Sequence, residues 1–152
     1  MGLQEELTNS IINQITSIQA SVGVFFTLRS KLLEAKKVIT SDDKELSEEN
    51  SSLLKIQEER EKALYTFLPK LSDIKSGKMP SSAEDWYKLS AEMTAIYQAM
   101  NDSINKVSSH ISKVEQKYNI KITIEKFESK MLNIFIILMV ALTSLYFGRK
   151  LR

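Results

Sequence analysis

The sequence predicts an all-α protein: an elongated, antiparallel, coiled-coil-like bundle of three helices, followed by a C-terminal single-pass transmembrane helix. Apolar residues recur every three or four positions along most of the 152 residues, which is the period of a helix and not of a strand. Four glycines and two prolines are fewer than a turn-rich β or α/β fold uses. One uncharged run near the C-terminus is long enough to cross a lipid bilayer.

The first helix is predicted from Leu3 to Ile39. Its apolar stripe consists of Leu7, Ile11, Ile15, Ile18, Val22, Phe25, Leu28 and Leu32. The run TSDDKE then interrupts the pattern. Thr40 or Ser41 can cap the next helix there, and the acidic residues that follow suit the positive end of its dipole.

The second helix is predicted to run to Ile74. Its apolar stripe consists of Leu46, Leu53, Ile56, Leu64, Phe67, Leu71 and Ile74. Pro69 predicts a kink or a local break. The segment SGKMPSS predicts the second turn, because Gly77 suits a helix C-cap and Ser81 followed by Glu84 matches a capping box.

The third helix shows heptad spacing that is interrupted by one four-residue stutter. Its stripe consists of Trp86, Leu89, Met93, Ile96 and Met100, then Ile104, Val107, Ile111, Val114 and Tyr118. Helices of similar length joined by short turns predict an up–down–up bundle over residues 1–118. One long coiled-coil hairpin or a trimeric stalk is the alternative.

Residues 119–130 are predicted to connect the bundle to the membrane. Ile120, Ile122 and Ile124 alternate with polar residues, which is a strand-like pattern. We favour a helix that continues unbroken from the third helix, because β-branched residues are only mildly unfavourable in helices. An extended joint over residues 119–123 is the alternative.

The membrane anchor is predicted over residues 131–148, with a basic tail over residues 149–152. No residue from Met131 to Phe147 is charged, and as a helix this stretch is about 26 Å long against about 30 Å of hydrocarbon. Its ten Leu, Ile, Val and Phe residues favour insertion by about 3–6 kcal/mol. The residues predicted to anchor it at the membrane interfaces are Lys130, Tyr146, Arg149 and Lys150.

Small and polar residues recur along one side of this predicted anchor. They are Asn133, Ala141, Ser144 and Gly148, and Ser144 with Gly148 forms a small-xxx-small pair. Small residues let membrane helices approach closely. The pattern therefore predicts a packing face through which anchors oligomerise.

Residue types that carry chemistry are scarce. The chain has no cysteine and one histidine, His110, which excludes thiolate metal sites and any multi-histidine metal site within one chain. No nucleotide-binding or nucleophile motif is present, and 21 basic against 19 acidic residues do not indicate a nucleic-acid binder. We therefore expect a non-enzymatic protein with no cofactor, no metal, no small-molecule substrate and no nucleic acid. His110 is expected to be solvated or partly packed.

The first helix carries no charged residue from Leu7 to Leu28, although a water-exposed helix face usually carries Lys and Glu. Amides and hydroxyls stand there instead, and such groups are cheaper to desolvate than charges. The residues predicted to contact another copy or a partner protein are Asn13, Gln14, Ser17, Gln19 and Ser21.

These features predict a tail-anchored structural or interaction protein, whose partners are membrane lipid and either a partner protein or further copies of itself. The acidic N-terminus is not that of a secretory signal, so the bundle is expected on the cytoplasmic side. The alternative is an oligomeric membrane-permeabilising protein of toxin or lysis type, in which the apolar part of the first helix also enters the bilayer.

Overall fold

The structure, a computed structural model, describes residues 3–75, 82–124 and 136–137. In this part of the chain it has three helices and no strand: α1 (Leu3–Val38), α2 (Lys44–Lys75) and α3 (Ala83–Tyr118). The predicted all-α class and its three helices are confirmed. At 1.5 Å per residue, the 36 residues of α1 and of α3 are each about 54 Å long.

Helices α1 and α2 are antiparallel neighbours. The amide Nδ2 of Asn50 donates to the carbonyl oxygen of Leu32 over 3.0 Å. One heptad further along α2, Nε2 of Gln57 donates to the carbonyl oxygen of Phe25, also over 3.0 Å. Because the α1 partner moves back seven residues as α2 advances by seven, the two chains run in opposite directions without a shift in register.

Helices α1 and α3 run parallel along their whole length. Near the start of both helices, Nε2 of Gln14 donates to Oγ of Ser90 over 2.9 Å. At the other end, the backbone N–H of Thr40 donates to the hydroxyl of Tyr118 over 3.1 Å. The chain therefore rises, descends and rises again, as the up–down–up prediction requires.

All three helices contribute to one core, and α1 contributes the most. The α1 residues in it are Ile11, Ile15, Ile18, Val22, Phe25, Phe26, Leu28, Leu32 and Ala35. Most of the apolar stripe predicted for α1 is therefore buried against its two neighbours.

The predicted α3 stripe lies in or against the core, where Ile111 is 5% exposed and Ile104 packs, and polar residues share this inward face. From Met100 the inward positions step through Ser103, Val107, His110 and Val114, all of which are buried. The sequence pattern followed apolar residues only and therefore stepped over the polar side chains of Ser103 and His110. A heptad keeps its register when polar residues occupy the inward positions.

Both predicted helix caps differ from the observed ones. Asp43, which directly precedes α2, accepts the N–H of Leu46 at its carboxylate over 3.3 Å, so the expected caps Thr40 and Ser41 are wrong. Ser82, not Ser81, caps α3 and accepts the N–H of Asp85. A cap must directly precede the first helical residue, because only there does a short side chain reach the free N–H groups.

Helix α3 ends at Tyr118, so the favoured continuous helix is wrong over residues 119–124. Asn119 takes the left-handed conformation, with φ 51° and ψ 50°, and its N–H and that of Ile120 both bond the carbonyl of Glu115. Asparagine tolerates this conformation better than most residues, which makes it a helix terminator. Residues 120–124 have no regular secondary structure, and Ile122 is buried against the core.

Two further predictions concern the α2–α3 connection. No break occurs at Pro69, since α2 continues past it to Lys75. Gly77, Pro80 and Ser81 of the predicted turn lie outside the described residues.

Candidate functional site

A buried asparagine joins all three helices. Asn50 of α2 is 2% exposed, and its Nδ2 donates to Leu32 of α1. Its Oδ1 lies 2.8 Å from Nε2 of His110 on α3. Because an amide oxygen only accepts hydrogen bonds, this arrangement assigns the proton of the neutral imidazole to Nε2.

The other ring nitrogen of His110 faces a carboxylate. Nδ1 lies 3.1 Å from Oε1 of Glu49, and Glu49 also lies 3.4 Å from Nζ of Lys113. A carboxylate oxygen at this distance favours the protonated ring, in which Nδ1–H donates to Glu49, over the neutral tautomer, in which a lone pair faces it. Burial lowers the pKa of His110, and the nearby Glu49 opposes this shift.

The sign of this pKa shift predicts that the bundle loses stability in mild acid. Since His110 binds a proton less readily when folded, the unfolded chain takes up more protons as the pH falls below about 6.5. We expect the free energy of unfolding, measured by urea titration, to be constant above that pH and to fall below it, by at most about 1.4 kcal/mol per pH unit.

The control for this prediction is His110→Gln, which keeps a donor for Asn50 and removes the titrating ring. His110 is the only histidine in the chain, so the variant should flatten the profile between pH 5 and 7. A wild-type midpoint that stays constant across that interval would contradict the assignment.

A second buried amide lies one heptad from Asn50. Gln57 is 0% exposed and donates to the carbonyl of Phe25. Its Oε1 has no hydrogen-bond partner among the described atoms. The sequence prediction placed Ile56 on the inward face, but Ile56 is half-buried and Gln57 occupies the core position.

Arg60 links α2 to α3 near the middle of the bundle. Its guanidinium donates to the carbonyl of Ala99, to Oγ of Ser103 and, over 2.9 Å, to Oδ2 of Asp102. Arg60, with help from Lys106, holds the pKa of Asp102 below its ordinary value. This cluster explains why Ser103 is buried, because its hydroxyl satisfies a guanidinium N–H.

The end of the bundle at which the chain leaves α3 is also tied together. The hydroxyl of Tyr118 accepts from Thr40 and donates to Oδ2 of Asp43 over 3.2 Å. Lys117 pairs with the same carboxylate, and this contact lowers the pKa of Asp43 and raises that of Lys117. The α1–α2 turn and the last turn of α3 are therefore joined.

The five residues predicted as a protein interface do not share one face. Asn13, Ser17 and Ser21 lie on the outer side of α1, exposed or half-buried. Gln14 donates to Ser90 and to Thr94 of α3, so its Nε2 is used within the bundle. Gln19 lies about 120° around the helix from Asn13 at 100° per residue.

A different uncharged surface emerges where the outer sides of α1 and α3 meet, and we name it the charge-free groove. Its residues are Asn13, Ser17, Ala20, Ser21 and Val24 of α1, with Tyr87, Ala91, Thr94, Gln98, Asn101, Ser108 and Ser112 of α3. On each helix these exposed or half-buried residues lie within about 100° of one another. The bond from Gln14 to Thr94 over 2.8 Å joins the two sides.

The ion pairs between helices lie on the other sides of the bundle, around α2 and the turn before it. Those seen in the described part of the chain include Arg29–Glu61, Arg60–Asp102, Lys70–Glu92, Lys113–Glu49 and Lys117–Asp43. The charge-free groove is thus distinct in chemistry from the surface that includes α2. Heptad positions taken helix by helix do not reveal it, because it combines residues of two helices.

The residues predicted to pack or anchor the tail in a membrane lie outside the described residues. They are Lys130, Asn133, Ala141, Ser144, Tyr146, Gly148, Arg149 and Lys150. Of the predicted anchor the structure describes Ile136 and Ile137, which are helical. Ile137 is half-buried and packs against the core, whereas Ile136 is 50% exposed.

One helix in the described part of the chain is long and apolar enough to span a membrane, and it is N-terminal. It is the Asn9–Val38 part of α1, and 39% of the apolar stretch that qualifies it is buried in the structure. Core helices of water-exposed bundles meet the same criteria of length and composition. Within the described residues, no group of three His, Cys, Asp or Glu side chains is placed to hold a metal ion.

No family model, curated protein or solved structure matches this chain.

Proposed function

We propose that this chain is a non-enzymatic, tail-anchored membrane protein that holds its helical bundle at the cytoplasmic surface of a membrane and contacts a partner protein or a second copy of itself. The observation that carries the proposal is the uncharged run Met131–Phe147, which lies between Lys130 and the basic residues 149–152. Its length and its flanking cations are those of a short membrane span.

The structure of α1 supports a C-terminal rather than an N-terminal anchor. Residues such as Ile15, Ile18 and Leu28 are 0% exposed, because α2 and α3 cover them. Moving α1 into lipid would expose the apolar faces of the other two helices to water and leave Gln57 and Asn50 without their α1 acceptors. Among the described residues of the C-terminal run, insertion would cost the packing of Ile137 against the core.

Charges placed in the two apolar segments test which of them enters the bilayer. Replacing Leu138 and Val140 by arginine should cost about 5–7 kcal/mol of insertion energy, against the roughly 3–6 kcal/mol that favours insertion. We expect the full chain to float with liposomes in a density gradient and the double variant to stay at the bottom.

Val24→Arg is the matched control, because Val24 is 47% exposed on α1 and an arginine there is tolerated in water. Flotation of this variant should equal that of the wild type. A membrane-bound L138R/V140R protein, or loss of flotation in the Val24 variant, would contradict a C-terminal anchor.

The second candidate function is membrane permeabilisation, which the span-like composition of α1 favours. Under that function the full chain should release a dye trapped in liposomes, and Val24→Arg should suppress the release. Val22 is unsuitable for such a test because it is 1% exposed, so a charge there would disrupt the core. Under the proposed anchoring function, flotation occurs without release.

A further inference from the structure

We propose that the charge-free groove is a homodimer interface, in which two copies anchored in one membrane lie side by side and α1 of each copy packs against α3 of the other. The inference rests on the proposed function and deepens it, because it selects a second copy of the chain as the partner. Groove side chains such as Val24, Tyr87, Gln98 and Ser108 are exposed and therefore available to that copy.

The length of chain between the bundle and the proposed anchor determines how two anchored copies are oriented. The step from Ile124 to Met131 is seven residues, which reach at most about 25 Å in any conformation. The end at which α1 and α3 both finish, where Thr40 is bonded to Tyr118, is therefore held near the bilayer. In an upright antiparallel neighbour this end would lie about 54 Å further from the membrane, at the other end of α3. Two upright copies in one membrane therefore meet in parallel.

Hydrogen bonds between α1 and α3 show which residues of two parallel copies would meet. The bond from Gln14 to Thr94 spans 80 positions, and the bond between the far ends of the two helices spans 78. Each α1 residue therefore lies level with the α3 residue about 78 positions later. A two-fold axis parallel to the helices places α1 of one copy opposite α3 of the other at the same level. Val24 of one copy then lies opposite Asn101 of the other.

The chemistry of the groove suits a second copy of the same surface. Its amides and hydroxyls both donate and accept hydrogen bonds, so the surface can satisfy its own polar groups across a two-fold axis. Val24 is 47% and Tyr87 is 56% exposed, and a dimer would remove this apolar surface from water. The surfaces around α2 carry ion pairs, such as Lys70–Glu92, that a dimer would have to desolvate.

The size of the groove is sufficient for a specific dimer. Its residues extend about 38 Å along α3, from Tyr87 to Ser112, and about 17 Å along α1, from Asn13 to Val24. At about 10 Å of width per helix, two copies would together bury about 1,100 Å², just above the roughly 1,000 Å² expected of a biological interface. Interfaces near this lower limit are often weak. Confinement of both anchors to one bilayer would offset that weakness by raising the effective concentration.

Disulfide formation between two differently tagged full chains tests the arrangement, because the natural chain contains no cysteine. One chain carries Val24→Cys and the other carries Asn101→Cys, and both are reconstituted into the same liposomes. In the first control, Ser108→Cys replaces Asn101→Cys, which moves the thiol one heptad, or about 10 Å, along the same side of α3. In the second control, Glu59→Cys places the thiol at an exposed position of α2 at a similar level.

We expect disulfide-linked dimers from the Val24–Asn101 pair and a loss of most of that yield in both controls. A charge in the groove should have a parallel effect. In wild-type liposomes a lysine-reactive cross-linker should trap dimers, and Val24→Arg should lose them while still floating, because the dimer would have to desolvate the arginine.

Three results would each overturn the groove interface: no Val24–Asn101 disulfide in a chain that floats, equal yields from all three cysteine pairs, or unchanged cross-linked dimers in the Val24→Arg variant. A Val24–Asn101 disulfide in a chain that never floats would support the interface and overturn the anchor. A chain that neither floats nor forms the disulfide would overturn both.

Discussion

Replacing Leu28 by alanine is expected to lower the free energy of unfolding of the bundle by about 2–5 kcal/mol. Leu28 is 0% exposed, and the neighbouring helices leave little room for the structure to close over the cavity. A loss of this size is a large fraction of the roughly 5–15 kcal/mol that stabilises a typical domain. Urea unfolding followed by circular dichroism measures it.

Leu33→Ala is the matched control, since Leu33 lies on the same helix and is 46% exposed. Its change should stay within about 1 kcal/mol, because much of the side chain is already in water. The comparison also tests whether α1 is a membrane span. If α1 lay in lipid, the two substitutions would reduce its transfer energy by similar amounts. Equal losses for the two variants in water would contradict a core role for α1.

The helices and their order could be predicted from the sequence because their apolar residues follow one period for more than thirty positions. The large side chains of α1, such as Ile15, Phe25 and Leu32, lie where that period places them. Helix ends were harder to predict because caps depend on single residues. The runs SDD and SS each offer several cap candidates, and the choice depends on where the neighbouring helix packs.

The polar core was not predictable from an apolar stripe. Asn50, Gln57 and His110 occupy inward heptad positions. Polar residue types such as these are more often found at protein surfaces, so residue type alone predicts exposure. The signal that identifies them is register: in α2 and α3 the heptad continues only if polar residues fill the missing steps. To predict the charge-free groove, one must also know that α1 and α3 are parallel neighbours. The residue pattern of a single helix does not show this.

The buried amides specify how neighbouring helices are aligned, which the apolar residues alone do not. An apolar stripe with a regular heptad permits neighbouring helices to slip by seven residues at modest cost, since one leucine replaces another. Asn50 must meet both a free carbonyl lone pair and the ring of His110, and a slip would leave these groups buried without partners. We therefore infer that the polar layer fixes the register of the bundle.

Asn50→Ala is accordingly expected to cost about 2–6 kcal/mol, because His110 and Leu32 each lose a partner and an unsatisfied buried group costs about 1–3 kcal/mol. Ser51→Ala, at an exposed neighbouring position, should change stability by about 0.5 kcal/mol or less. Urea unfolding of the two variants side by side makes the comparison.

A double-mutant cycle separates the coupling of the layer from the burial of its parts. Asn50→Leu alone leaves the imidazole of His110 buried beside an apolar group, whereas adding His110→Leu removes both polar partners together. The double variant should therefore be more stable than Asn50→Leu alone, and its loss should be smaller than the sum of the single losses. Additive losses would mean that the two side chains act independently, and the layer would then have no role in setting the register. Leucines at both positions restore apolar burial, but they do not require one particular alignment of the helices. If the polar layer sets the register, the double variant should therefore recover stability but unfold in a broader, less cooperative transition.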